Sequence, residues 1–258
     1  MINSIFRSFR AYTQAFQIIS KLKLWAYALV PAIISLLLAI GIFSTAYGLA
    51  DDIGRIIIGW YPWEWGAGVI EKIASVTGGL LIAILGLLVY KNLIVVLAGP
   101  FMSPLSEKVE KYLTGDTSKT KISVPGMVKD FFRGLSIAIR NLFWELLFTV
   151  VLLLLGLIPI FAPFTTAAIF IVQSYYAGFG NFDFFLERHF SVSQSVAFMK
   201  NNRWSAIGNG VVFLGLLITV VGVLVAPVLG TIAATIEGVE KLNKGSINLQ
   251  RPLEKELV

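Results

Sequence analysis

Long uncharged stretches alternate with short charged segments along the whole chain. Residues 24–50 contain no charged side chain, and residues 73–98 form a second apolar stretch in which Lys91 is the only charge. A helix needs about 20 apolar residues to cross the hydrocarbon core of a bilayer. We therefore predict one transmembrane helix over residues 24–50 and another over residues 73–98.

Two further apolar stretches have lengths that suit neither one crossing nor two. Residues 146–182 are 37 uncharged residues with Gly156, Pro159 and Pro163 near the middle, and residues 205–236 are 32 more. At about 20 residues per crossing, each stretch is long for one span and short for two spans with a turn. We predict two short helical hairpins that penetrate the membrane only partly, with a single kinked span as the alternative for residues 205–236.

The amino-terminal segment and the distribution of basic residues indicate how the chain lies in the membrane. Residues 1–23 place aromatic and aliphatic side chains at helical spacing beside four basic residues, a pattern typical of a helix lying in the membrane interface. Eight Lys and Arg residues fall within residues 91–140, against two within residues 51–72. Because basic loops stay in the cytoplasm, we predict that both termini are cytoplasmic, with residues 237–258 as a tail.

The amino-acid composition is that of a membrane protein and not that of an ordinary globular domain. Hydrophobic residues make up 57% of the chain and charged residues 14%, whereas an ordinary globular domain has about 25% charged residues. We interpret residues 1–258 as a single all-α integral membrane domain. The net charge of +6 is spread without a run of five or more like charges, which favours a role in membrane orientation, with attraction of anions as the alternative.

The sequence contains no recognisable catalytic or metal-binding motif. The chain has no cysteine and one histidine, His189, and it lacks the usual nucleotide-binding, zinc-protease and nucleophile-elbow motifs. An intramembrane enzyme would need convergent polar groups at membrane depth, where only Lys91 and Glu145 fall. We therefore predict no enzymatic activity, no catalytic residue, no metal and no cofactor.

Motifs in several segments carry a family resemblance. They are residues 20–25 (SKLKLW) leading to Val30-Pro31, residues 98–109 (AGPFMSPLSEKV), residues 182–192 (FDFFLERHFSV) and residues 225–227 (VAP). Together they resemble the CysZ family of bacterial sulfate permeases from about residue 5 to residue 240. The PFxxPLxEKV pattern is the most specific of them.

The resemblance implies an activity and a location. It implies a multi-pass protein of the bacterial inner membrane, and a homo-oligomer that takes up sulfate, or sulfite, to supply cysteine biosynthesis. It also implies that no ATPase subunit and no nucleic acid is a partner. The broader superfamily that shares this architecture includes eukaryotic membrane proteins of other roles, so a non-transporting scaffold or regulator is the alternative.

The resemblance further implies a sulfate-binding loop before the first long helix. The family's loop, typically Gly-Leu-Arg-Arg, resembles an anion cradle and corresponds here to Lys21, Leu22, Lys23 and Leu24. Amides at a helix start carry partial positive charge and bind oxyanions, and Lys adds a point charge. Ordinary anchoring at a membrane-facing helix end is the alternative role of the two lysines.

Five polar residues in or near the matched motifs are candidates for the transport pathway or its gate. They lie next to apolar helices, where an unpaired charge is costly. They are Asn92, Ser103, Glu107, Asp183 and Arg188. Glu107 with Arg188 is the candidate gate pair. The alternative is that these residues pair to tie the cytoplasmic helices to the hairpins.

Overall fold

Helices make up the regular structure throughout the part of the chain that the structure describes. The computed structural model describes residues 2–59, 86, 90, 93, 97–118, 124–156, 158 and 160–255. Its helices are α1 (Ile2–Lys21), α2 (Trp25–Gly59), α3 (residues 97–114), α4 (Val124–Gly156), α5 (Ala162–Leu186), α6 (Val192–Asn201), α7 (Arg203–Leu217) and α8 (Val220–Lys255). The prediction of an all-α protein is confirmed for these residues.

Three of these helices are long and apolar enough to cross a membrane. The candidate spans are Trp25–Thr45 in α2, Phe131–Gly156 in α4 and Val221–Asn243 in α8. The first agrees with the transmembrane helix predicted over residues 24–50. Most of the second predicted helix, residues 73–98, lies outside the described residues.

The first hairpin differs from the prediction in its leading arm. In the structure this helix begins at Val124, not at residue 146, and it continues to Gly156. The arm is therefore a full-length candidate span rather than a short one. The charges before residue 146 suggest an extramembranous segment, but Arg133 is paired with Asp183 inside the protein.

The second hairpin turns earlier than its glycine and proline suggest. α7 ends at Leu217, and the Thr219 hydroxyl accepts a hydrogen bond from the amide of Gly222 at 3.0 Å. Thr219 thus caps the amino terminus of α8. Because α7 and α8 pack against each other, residues 205–236 form two helices in the structure rather than one kinked span.

α8 is longer than the sequence predicts. It runs without a break from Val220 to Lys255, through the boundary at which a tail of residues 237–258 is predicted. Ile236 and Val239, on either side of that boundary, are both buried. The start of the predicted tail is therefore part of the helical bundle.

α7 packs against several other helices of the bundle. It packs against α5, α1 and α8, and its crossing with α5 depends on two glycines. A side-chain carbon at Gly178 would overlap the backbone carbonyl of Ala206, and one at Gly210 would overlap the backbone of Ser174. Small residues let helices in membrane proteins approach this closely. The crossing joins the two hairpins to each other.

α1 is amphipathic, and of its four aromatic residues only Tyr12 is buried. Small and aliphatic residues such as Ala15 and Ile19 belong to the core that α1 shares with α7 and α8. Phe6, Phe9 and Phe16 are exposed instead. An exposed aromatic face of this kind is available to lipid, as the predicted interfacial role requires.

Candidate functional site

A Schellman motif ends α1 and shapes the predicted sulfate-binding loop. The amide of Lys23 donates to the carbonyl of Ser20 at 3.2 Å, and the amide of Leu24 donates to the carbonyl of Ile19 at 2.9 Å. The amide of Leu22 also donates to a carbonyl of α1. The amides of residues 22–24 are therefore used to close the helix, and an anion at this loop would meet side chains and the amino terminus of α2.

Lys23 lies at the position of this motif that favours glycine. Its φ of 54° places a side-chain-bearing residue in the left-handed region, which costs roughly 1–2 kcal/mol. We expect Lys23→Gly to raise the free energy of unfolding by about 1 kcal/mol, measured by thermal unfolding in detergent. Lys23→Ala is the control, because it removes the charge and keeps the strain. A Gly variant no more stable than the Ala variant would contradict this account.

Two lysines near this loop lie over tyrosine rings. The Nζ atom of Lys21 is 5.2 Å from the centre of the Tyr112 ring, and that of Lys108 is 4.6 Å from the centre of the Tyr27 ring. Tyr27 is in the first turn of α2, so Lys108 lies beside the end of that helix that carries partial positive charge. We call Lys21, Lys23 and Lys108 the basic patch, and its chemistry suits a small oxyanion.

Arg188 makes four hydrogen bonds and an ion pair within the protein. Its Nε and Nη2 atoms lie 2.9 and 2.8 Å from Oε2 of Glu110, and Nη2 also donates to the Ser106 hydroxyl at 2.8 Å. Its Nη1 atom donates to the carbonyls of Phe184 at 2.6 Å and Ser103 at 3.4 Å. A guanidinium has five N–H donors. All three guanidinium nitrogens of Arg188 are therefore engaged by protein groups in this conformation.

Glu110 is the shared acceptor of this site. Its other carboxylate oxygen lies 2.6 Å from Nε2 of His189. Burial would raise the pKa of Glu110, but the contacts with His189 and Arg188 outweigh it and lower that pKa below its ordinary value. The lowered pKa means that the ionised form of Glu110 is stabilised. Glu110 is therefore a carboxylate at neutral pH and keeps Arg188 in place.

The same site connects three helices through hydroxyl groups. The Ser106 hydroxyl is 2.8 Å from that of Thr235, which joins α3 to α8, and the Ser103 hydroxyl donates to the carboxylate of Glu187. We call Ser103, Ser106, Glu110 and Arg188 the Arg188 cluster. Its position at the meeting of α3, α5 and α8 is suited to a gate, because moving α3 breaks bonds to both of the other helices.

The structure separates the five predicted pathway residues into different pairs. Ser103 and Arg188 belong to the Arg188 cluster, but Glu107 does not, because it pairs with Lys111 one turn along α3 at 2.7 Å. Glu107 is therefore not paired with Arg188 in the structure, and Glu110 is the acidic partner of Arg188 instead, while a gate role stays a prediction. Asn92 lies outside the described residues.

Asp183 belongs to a second buried cluster. Nη1 of Arg133 lies 3.0 Å from both of its carboxylate oxygens. Nη2 of Arg133 donates to the Ser195 hydroxyl at 2.8 Å and to the carbonyl of Phe190 at 3.3 Å. The pair fastens α4 to α5 and to the start of α6. No group of three or more His, Cys, Asp or Glu residues that could hold a metal occurs among the described residues.

A scan of protein families gives a match that covers most of the chain. Residues 11–236 match the family model described as Sulfate transporter CysZ/Etoposide-induced protein 2.4. The chain belongs to this family. The matched range extends from α1 into α8 and includes the basic patch, the Arg188 cluster and the Arg133 pair. The resemblance to CysZ proteins drawn from the motifs is thereby confirmed, and the chain is a sulfate-transporter-like membrane protein.

A buried amide network in this CysZ family member was not predicted from the sequence. The side-chain amide of Asn181 donates to Oδ1 of Asn209 at 2.8 Å, and the side-chain amide of Asn209 donates to the carbonyl of Gly230 at 3.2 Å. The Tyr12 hydroxyl donates to the Asn209 carbonyl at 3.1 Å. Polar residues inside apolar stretches are the signal that could have found it. The network unites α1, α5, α7 and α8.

Proposed function

We propose that this chain is a permease that carries sulfate, or a similar small oxyanion such as sulfite, across the bacterial inner membrane to supply cysteine biosynthesis. The observation that carries the proposal is the match to a sulfate-transporter family over residues 11–236. The basic patch at the start of α2 supports it, because lysines and a helix amino terminus attract oxyanions. A homo-oligomeric assembly, cytoplasmic termini and independence of an ATPase subunit are parts of the same proposal.

In this proposal the basic patch collects the anion and the Arg188 cluster controls its passage. All three guanidinium nitrogens of Arg188 are bonded within the protein, which supports our assignment of this conformation as the closed state. An arriving oxyanion offers several acceptors at once and replaces the Glu110 carboxylate on the guanidinium. Release of Glu110 then frees α3 to move relative to α5.

A specific observation also supports the alternative of a non-transporting scaffold or regulator. Arg133 and Arg188 are both paired with acidic partners, and such pairs also occur where charges only hold helices together. On this view the family architecture serves assembly, and the basic patch contacts lipid headgroups. Sulfate flux separates the two functions directly.

The test is uptake of radiolabelled sulfate by proteoliposomes that contain the full-length protein. We expect saturable uptake down an inward gradient, competed by sulfite and not by chloride. Lys108→Ala, and the double variant Lys21→Ala with Lys23→Ala, should each lower uptake at low sulfate by about tenfold, because local charge concentrates the anion. Lys200→Ala, an exposed lysine of α6, is the matched control and should not. Folded wild-type protein without any uptake would overturn the permease function and favour the scaffold.

A further inference from the structure

The exposed face of α1 has an aromatic edge and a basic edge. Phe9 and Phe16 are 50% and 56% exposed and lie about two turns apart along one edge. Arg10 and Lys21 are exposed about three turns apart along the other edge. Because each pair is separated by a nearly whole number of turns, the two rows run side by side along the helix. α1 therefore presents apolar and cationic groups together to its surroundings.

The protein holds this face in one orientation. The opposite face of α1, which includes Ala15 and Ile19, is buried in the core that α1 shares with α7 and α8. The Tyr12 hydroxyl is bonded to the carbonyl of Asn209 on α7 at 3.1 Å. α1 cannot roll without breaking these contacts, so the aromatic and basic edges stay directed away from the bundle.

The aromatic edge is continuous with the start of a candidate membrane span. The ring of Phe16 packs edge-to-face on the ring of Trp25, with 5.9 Å between their centres. Trp25 is 41% exposed and is the first residue of the candidate span Trp25–Thr45. Tryptophan is enriched where a span meets the membrane–water boundary. The aromatic edge of α1 therefore lies at the level of that boundary, with its apolar rings available to acyl chains.

The charge of this segment selects among the partners that such a face could bind. Residues 2–24 carry Arg7, Arg10, Lys21 and Lys23 and no acidic side chain. The α1 face of a second copy would bring the same positive charges to the contact, and like charges oppose each other. A zwitterionic headgroup has no net charge to attract. A phospholipid with a net negative headgroup complements both edges of the face.

We propose that the exposed face of α1 is a binding site for anionic phospholipid. The acyl chains lie along Phe9 and Phe16, and the headgroup phosphate is bound by Arg10 and Lys21. Lysine and arginine beside an apolar helix edge attract anionic lipids in this way. The site uses the outer surface of α1 and does not depend on the permease function, so it applies equally if the protein is a scaffold.

The experiment measures which lipid collects beside α1 in proteoliposomes of the full-length protein. The chain has no cysteine, so Gln14→Cys, at an exposed position of α1, can carry a single donor dye. Trace phosphatidylglycerol or phosphatidylcholine carries an acceptor dye on its acyl chain. We expect phosphatidylglycerol to be enriched over phosphatidylcholine near the donor by about fivefold, roughly the effect of one basic side chain near an anionic headgroup. Salt at about 1 M should remove the enrichment, because it screens exposed charges.

Variants in the labelled protein test which residues bind the lipid. Arg10→Gln combined with Lys21→Gln should abolish the enrichment. Lys200→Gln, which removes an exposed charge on α6, is the matched control and should keep it. Equal energy transfer to the two lipids in the labelled protein without these substitutions overturns the proposal. Enrichment that survives the double substitution overturns the assignment to Arg10 and Lys21.

A second copy of the chain on this face is tested separately. Phe9→Cys places one thiol on the aromatic edge of an otherwise cysteine-free chain. We expect no disulfide between copies after mild oxidation in proteoliposomes at a low ratio of protein to lipid, because lipid covers the edge. Efficient disulfide formation between copies would show that another protomer covers it, and would overturn the lipid site.

Discussion

Gly210→Ala is expected to lower the free energy of unfolding by about 3 kcal/mol, although it adds only one methyl group. The added carbon would overlap the backbone of Ser174 on the facing helix. A backbone cannot move aside as the tip of a flexible side chain can, so α5 and α7 must separate along their crossing. Gly178→Ala should have a similar effect, because its added carbon meets the backbone carbonyl of Ala206. Thermal unfolding in detergent measures both changes.

The same helix provides the control for this prediction. A side-chain carbon at Gly215 meets nothing within 4 Å, and alanine favours a helix over glycine by about 0.5–1 kcal/mol. Gly215→Ala should therefore leave stability unchanged or raise it slightly. Equal unfolding temperatures for the Gly210 and Gly215 variants would show that the α5–α7 crossing is not as close as the structure has it.

Asp183→Ala is expected to cost about 3–5 kcal/mol, because it leaves the Arg133 guanidinium buried without its acidic partner. The side chains of Arg133 and Asp183 are only 12% and 6% exposed, so water cannot replace the lost carboxylate. The result should be a large fall in unfolding temperature and a loss of the contact between α4 and α5. Arg133→Ala should cost less, since a lone carboxylic acid can take up a proton.

A double substitution separates the net contribution of the ion pair to stability from the cost of leaving one of its charges unpaired. Arg133→Met combined with Asp183→Leu replaces both charges by apolar groups, and it should recover most of the loss. The more exposed pair of Glu107 with Lys111 is the comparison, and Glu107→Ala should cost no more than about 0.5 kcal/mol. A double variant as unstable as Asp183→Ala would mean that the cluster acts through shape and not through charge.

The length of the apolar stretches predicted the helical class and the first span, but not where the helices of the hairpins begin and end. α4 begins 22 residues before the predicted arm, at Val124 rather than at residue 146. The hydropathy pattern predicts that Arg133 lies outside the bundle, whereas its ion pair with Asp183 holds it within the bundle. In the second hairpin Gly222 and Pro227 lie within α8, and Thr219 caps that helix instead. Threonine is a preferred residue at the amino terminus of a helix, so Thr219 was the signal in the sequence for this helix start.

The candidate site, like the fold, was predicted from the sequence only in part. The motifs indicated Ser103, Asp183 and Arg188 as candidates for the pathway, with pairing between helices as the alternative. Sequence alone cannot choose between acids one turn apart on α3 as the partner of Arg188. Glu107 and Glu110 share a helix face, and only the position of α5 decides that Arg188 bonds Glu110. Lys108 was not predicted at all, because its neighbour Tyr27 lies far away along the chain. Pairing between distant segments depends on the packing of the bundle.

A bacterial inner membrane stores energy as a voltage, and each elementary charge that leaks through it dissipates about 2.3 kcal/mol per 100 mV. Under the proposed function, in which the Arg188 cluster closes the pathway, the four hydrogen bonds and the ion pair of Arg188 are what insulates the membrane at rest. A tetrahedral oxyanion presents several oxygen acceptors in fixed directions and can replace those bonds, whereas a halide ion offers a single centre. The low leakage of charge at rest and the preference for oxyanions would then have one cause, the bonding of a single arginine.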